Sequence, residues 1–259
     1  MRDFLPTPAV PTGHDEFFAV FDRFGAVSGS RLADMTVDQL KLYDSENVQY
    51  VEFMVSSWCR NDREKFVRAV AAASDDASKL AALEASGLAE CVAAKRNDLA
   101  ATFGEISAAL GCDADNTRVG CGVTFRYIVQ IYRDNPPDDV FVQTATAAAL
   151  IRSEPRFVGL NLVGPEDYLV ARRDYTRQME VIRFLASDVP VALHAGELWL
   201  GLVPPSDLSF HVRQAIEIAG ARRIGHGVTI AFERDALGLL GERCARAPSR
   251  SRSASPATT

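Results

Sequence analysis

The chain has 259 residues, 47% of them hydrophobic and 24% charged, with a formal net charge of −6. That is the profile of a globular protein with enough apolar side chains for one sizeable core, and one domain is the default. The acidic balance without a long basic stripe excludes the electrostatic footprint of a nucleic-acid binder. No apolar run is long enough to span a bilayer, so a small-molecule partner is expected and the oligomeric state is not readable.

Cys59, Cys91, Cys112, Cys121 and Cys244 form an odd set with no CxxC pair and no close spacing to histidine. They are expected to be separate buried or incidental thiols, neither a disulfide framework nor a cysteine zinc site. The start shows no basic segment followed by an apolar core and a small-residue cleavage site. Cytoplasmic localisation is expected, unless a leader has been lost with the start of the chain.

In chain order, residues 1–13 read as an extended, Pro-rich segment. His14 to Phe24 carries Phe17, Phe21 and Phe24 at helical spacing, and Asp38 to Asp44 is also compatible with helix. Val48 to Val55, rich in β-branched and aromatic residues, predicts a strand. A long helical region follows from about Ser78 to Leu110, with Leu99, Phe103, Ile106 and Leu110 on one face and Gly111 as C-cap. Arg118 to Tyr132 is the next strand candidate. From there helix and strand alternate: helix Asp138 to Ile151, strand Arg156 to Leu162, helix Asp167 to Ala186 and strand Val189 to His194. Helix Ser206 to Ala219 follows, with Ser206 as N-cap and Gly220 past its end, then strand Arg223 to His226.

Strands alternating with helices predict parallel βαβ units. Without a Gly-rich phosphate fingerprint after the first strand, a (β/α)8 TIM-type barrel is preferred over a doubly wound sheet. A closed barrel needs eight strands and five are readable, so the barrel is expected to be incomplete. A helix begins at Ala236, but residues 243–259 are Arg- and Ser-rich and cannot bury a core; they read as a disordered tail or an out-of-frame end.

The densest chemical signal is Val191 to Glu197, a buried strand ending in His194, with Gly196 allowing a turn that brings Glu197 back over the strand end. In a barrel such strand ends face the active-site mouth. A histidine there can ligate zinc, and a partly desolvated glutamate can donate a proton. One βα unit later, Arg223 to Val228 repeats the pattern with His226 between two glycines. Alone, either histidine reads equally as a satisfied core residue; two at the ends of neighbouring strands favour a site. Trp58 and Trp199, Ser56-Ser57 and the serines from Ser249 to Ser255, and Arg172-Arg173 and Arg222-Arg223 read as packing, unactivated hydroxyls and solvated charges.

His-Ala-Gly-Glu at 194–197 followed by Arg-Ile-Gly-His-Gly at 223–227 resembles the paired signature of the adenosine deaminase family, a zinc-dependent branch of the amidohydrolases. Val158 to Glu166 resembles the family's Gly-x-Asp-Leu-x-Gly-Asp-Glu strand end, with Asn161 and Pro165 in place of the usual acids. Val48 to Glu52 is similar to the family's second barrel strand, and Phe17 to Asp22 to the helix lining the purine pocket. The resemblance covers residues 14 to about 240. It implies that His194 is a zinc ligand and that Glu197 protonates the purine N1 while hydroxide attacks C6. It further implies that His226 orients the hydroxide, that the Gly164 backbone N–H meets the base, and that Phe17, Phe21 and His14 line the pocket. The implied reaction converts adenosine or deoxyadenosine to inosine and ammonia on one Zn2+.

The departures are as specific. The family's His-x-His pair on its first strand has no counterpart, and the Asp-Asp pairs, Asp75-Asp76 and Asp138-Asp139, lie far from the family's eighth-strand position. His211 lies in an amphipathic helix and reads as structural. A catalytic zinc usually takes three protein ligands, of which only His194 is identified. The chain as written is therefore expected to have little or no deaminase activity and, with open strand edges, to express poorly. A non-catalytic remnant, or a deaminase of another aminopurine such as adenine, AMP or an N6-substituted nucleotide, remains an alternative.

Overall fold

The computed structural model describes residue 8 and residues 12–28, 31–56 and 59–246. Ser57, Trp58, most of the Pro-rich start and the segment from 247 onward, including Ser249 to Ser255, lie outside the described residues. The elements in chain order are α1 (Gly13–Ser28), α2 (Leu32–Ser45), β1 (Tyr50–Val55), α3 (Arg63–Ala71), α4 (Asp76–Ala85), α5 (Leu88–Leu110) and β2 (Thr124–Tyr132). They continue with α6 (Pro137–Ser153), β3 (Phe157–Val163), α7 (Leu169–Arg173), α8 (Tyr175–Ala186), β4 (Ala192–Ala195), α9 (His211–Glu217), β5 (Arg223–His226) and α10 (Ala236–Arg246). The chain divides into two compact units, Met1–Phe53 with Ala93–Arg126 and Met54–Val92 with Tyr127–Thr259.

In the first unit α1 opens on a reciprocal cap. The Thr12 hydroxyl accepts from the Asp15 N–H at 3.1 Å, and the Asp15 carboxylate accepts from the Thr12 N–H at 3.1 Å. Phe17 and Phe21 form an edge-to-face pair at 5.4 Å, and both are about half exposed. The core of this unit is built from Leu40, Phe103, Ile106 and Leu110. The Tyr43, Phe53, Phe125 and Phe103 rings follow one another at 6.2, 6.5 and 6.4 Å. Gly111, at φ +70°, ends α5 as predicted. The segment from Arg118 does not enter a strand, which starts only at Thr124. Cys112 and Cys121 close this loop with a disulfide, Cα–Cα 5.6 Å.

The strands follow a parallel βα pattern, with β3, β4, β5 and most of β2 in the second unit. The strand order, β1-β2-β3 in one sheet and β4-β5 in another, follows chain order. β2 pairs parallel with β3 and β4 with β5, and a single parallel bridge, Leu160 to Val191, links the two sheets. α6, with Val140, Phe141, Ala147 and Leu150 buried, packs on β3, α3 and α8, and α8 packs on α9. Among the described residues there are five strands and the sheets do not close. The parallel α/β class is therefore present, while a TIM barrel is not formed by these residues.

Several sequence expectations are corrected. The single helix from Ser78 to Leu110 is two helices, α4 and α5, broken where Gly87 adopts φ +98°; α4 starts two residues earlier, capped by Asp75, whose carboxylate accepts from the Ser78 N–H at 2.9 Å. Asp167 to Ala186 is likewise broken at Asp174 into α7 and α8. Ser206 is no N-cap: residues Pro205–Ser209 form a 3-10 turn and α9 begins at His211. α3, between Arg63 and Ala71, has no counterpart among the sequence expectations; it buries only Phe66 and Val70, too few apolar positions to stand out as a period. α10 continues to Arg246, into the segment read as tail. Four of the cysteines are not thiols, since Cys59 and Cys91 form a second disulfide, Cα–Cα 6.1 Å. Separations of 32 and 9 residues carry no spacing signature, and only the fold brings the sulfurs together. No helix among the described residues is long and apolar enough to cross a membrane.

Candidate active site

β4 ends at Ala195, and the chain then turns through Gly196 at φ +73° before Glu197. A Cβ on Gly196 would lie 2.7 Å from both the Thr229 hydroxyl and a Val212 methyl, so the turn is glycine-specific for conformational and steric reasons. Two backbone bonds tie this turn to the end of β5: the Gly227 N–H donates to the Ala195 carbonyl at 3.0 Å and the Thr229 N–H to the Gly196 carbonyl at 3.2 Å.

Register places His194 opposite Gly225, and His226 opposite Ala195. Regular pleating would send the two imidazoles to opposite faces, because side chains alternate along a strand. His226 breaks that alternation with φ +71°, a left-handed conformation that non-glycine residues rarely adopt. Its ring then lies 4.9 Å from that of His194, centroid to centroid, and its Nε2 lies 3.3 Å from a Glu197 carboxylate oxygen. A non-glycine residue held at such a φ costs on the order of 1–3 kcal/mol, which the surrounding contacts must offset.

His194 is fixed from β3. The Asn161 amide lies against its Nδ1, with Nδ2 at 2.7 Å and Oδ1 at 3.0 Å, and Oδ1 also accepts from the His194 backbone N–H at 3.0 Å. Among the described residues only Nδ1 of this ring has a hydrogen-bond partner, which leaves Nε2 for a ligand. Burial, the neighbouring His226 and the Arg133 guanidinium push the His194 pKa down to about 4, so the ring is neutral near pH 7, as a metal ligand or acceptor must be.

Beneath the turn lies a buried charged cluster that sequence reasoning missed. Glu166 accepts from the Gly196 N–H at 3.0 Å, the Glu197 N–H at 2.7 Å and the His211 Nδ1 at 2.6 Å, and Arg133 lies 3.5 Å away. Arg133 donates to the Leu162 carbonyl at 2.9 Å and to the His194 carbonyl, spanning β3 and β4. Tyr175 stacks on His211 at 3.7 Å and donates to its carbonyl at 2.7 Å. Burial alone would raise the Glu166 pKa; the Arg133 charge, the His211 bond and the Gly196 N–H outweigh it and bring it down to about 2. The sequence cues were a histidine inside an otherwise apolar helix face and the Glu166 that closes the family-like strand end, neither of which says that the two meet.

His194, Glu197 and His226 are thus brought together. Gly164 ends β3 at φ +95°, where a Cβ would lie 2.9 Å from an Asp134 carboxylate oxygen. His14, Phe17 and Phe21 lie on α1, in the other unit. Trp199 is exposed and Arg172 pairs with Asp207 at 2.6 Å. Asp75 is the α4 cap, Asp76 pairs with Arg177, Asp138 pairs with Lys79 at 2.5 Å and Asp139 with Arg63 at 2.7 Å, so both Asp-Asp pairs are structural.

The adenosine deaminase family model matches residues 7–246, a span that includes both histidine strand ends. The chain belongs to the adenosine deaminase family. No curated protein matches it. A solved amidohydrolase from Burkhoderia ambifaria with bound zinc is similar at a TM-score of 0.46 and 18% identity, over 82% of this chain and 45% of that one. The chain thus spans less than half the length of that structure.

For an adenosine deaminase-family chain, a zinc site is implied. Among the described residues no group of three His, Cys, Asp or Glu side chains, that of His194, Glu197 and His226 included, has the arrangement to hold a metal ion. His226 faces Glu197, and His194 offers one ring nitrogen, so the donors among the described residues do not fit a catalytic zinc, which usually takes three protein ligands.

Proposed function

We propose that this chain carries the proton-transfer part of a hydrolytic deaminase site for a purine nucleoside, adenosine or deoxyadenosine. The observation supporting it is the convergence of Glu197 and His226, at 3.3 Å, beside His194. In this reading the Glu197 carboxylic acid donates its proton to purine N1 as water adds to C6. His226 orients that water, takes one of its protons and passes it to the departing amino group. The C6–N bond breaks, ammonia leaves, and the remaining water proton returns to Glu197, giving inosine. The Gly164 N–H donates to the base. The pocket role that the family resemblance gives His14, Phe17 and Phe21 is a separate proposal, tested by alanine substitution. The described donor set does not fit zinc, so these proton transfers rest on the side chains alone.

A second reading, a chain that keeps the motifs without the chemistry, is favoured by the incomplete donor set. NMR titration of the His194 and His226 ring signals with adenosine, deoxyadenosine, adenine, AMP and an N6-substituted nucleotide tests the first reading. Adenosine or deoxyadenosine should shift both rings, and Glu197→Gln should weaken binding by about tenfold, the loss expected for one charged hydrogen bond. A better response to another member of the panel would reassign the substrate, and no response to any would refute the nucleoside reading. Metal content and ammonia release by the purified chain distinguish a catalyst from a remnant.

A further inference from the structure

We propose that Glu166 is a positioning residue whose buried carboxylate holds the Gly196-Glu197 turn, and so sets the Glu197 side chain against His226. The inference rests on the deaminase reading for the purpose of that placement, and on geometry alone for the placement itself.

Neither the Gly196 nor the Glu197 N–H has a backbone acceptor among the described residues; both donate to Glu166, one to each carboxylate oxygen. A carboxylate across two successive N–H groups is a bidentate anchor, and charged hydrogen bonds of this kind are the strong ones. Glu166 is itself held from below by His211 at 2.6 Å and by Arg133 at 3.5 Å, and all three side chains are fully buried. Arg133 also donates to the His194 carbonyl, so one cluster grips the β4 end on both sides of Ala195. A fully buried acceptor of this kind cannot be replaced cheaply, because an amide N–H left there without a partner keeps its desolvation cost. A left-handed Gly196 needs such an anchor, because glycine left unanchored samples many conformations.

Glu166→Gln keeps the side-chain volume but faces one of the two N–H groups with a donor. Hydrogen exchange at the Gly196 and Glu197 amides should accelerate by about tenfold or more, while the Gly227 amide, bonded to Ala195, keeps its protection. The His226 ring signals should move in Glu166→Gln as they move in Glu197→Gln, because both remove the same carboxylate from the ring. Asp139→Asn, which alters a buried carboxylate outside this cluster, paired with Arg63 at 2.7 Å, should leave the two amides and the His226 ring as in the parent chain. Should Glu166→Gln not fold, His211→Gln, which retains a donor toward Glu166, should show a smaller acceleration at the same two amides. Unchanged exchange at Gly196 and Glu197 in a folded variant overturns the proposal. Accelerated exchange with no nucleoside binding by the parent chain supports the positioning role and refutes the deaminase reading alone.

Discussion

Replacing Gly196 by alanine probes the turn from the side of sterics. The cost has two sources. A left-handed backbone disfavours an L side chain by about 1–2 kcal/mol, and φ at Gly196 is +73°. The new methyl also lies 2.7 Å from the Thr229 hydroxyl and from Val212, well inside contact distance, in a region where the Thr229 oxygen is already buried without a hydrogen bond. Overpacking of this kind adds about 1–3 kcal/mol, so Gly196→Ala should lose about 2–5 kcal/mol. Gly220→Ala separates the contributions. Gly220 has a similar φ of +74°, but a methyl there meets only the end of the flexible Arg183 side chain at 3.4 Å, so only the backbone cost of about 1–2 kcal/mol should appear. Urea unfolding of both variants and the parent, with midpoints compared at unchanged slope, gives the difference. Equal losses in the two variants would refute the steric half of the argument.

Reducing the disulfides should destabilise both loops: on the chain-entropy account, closure over 32 residues between Cys59 and Cys91 is worth about 3–4 kcal/mol and closure over 9 between Cys112 and Cys121 about 2–3 kcal/mol. Thiol titration of the denatured chain should find four more thiols after reduction than before, and an unchanged count would remove both bridges. The Glu166 carboxyl, brought down to about 2 when folded from an ordinary 4.5, binds fewer protons folded than unfolded between those values. Its stabilisation is therefore present above pH 4.5 and is lost as pH falls toward 2; Glu166→Gln should flatten that part of the stability curve, and an identical slope would contradict it. The purified chain should bind zinc weakly and release little or no ammonia from adenosine, since the donors present fall short of the usual three. Stoichiometric tight zinc with rapid turnover, measured by metal analysis after dialysis, would show that further ligands complete the site.

The sequence by itself determined the class of the chain and the place of its chemistry. Alternating helix and strand periods are local properties, so the five strands and most of the helices between them could be read directly, as could the two histidine strand ends. Helix breaks at Gly87 and Asp174 were harder, because apolar spacing continues across them while the backbone turns. What only tertiary structure decided depends on residues distant in the chain. The Cys59–Cys91 disulfide, the Arg133, Glu166 and His211 cluster under the turn, and the Asn161 contact with His194 join separations of about 30 residues or more, beyond the windows of roughly 11–18 residues in which periodicity is read. His226 shows the division most clearly. Its position at a strand end was legible, yet the pairing register alone would turn its ring away from His194. The positive φ, held although His226 carries a Cβ by the bond from Gly227 to Ala195, turns the ring to the site.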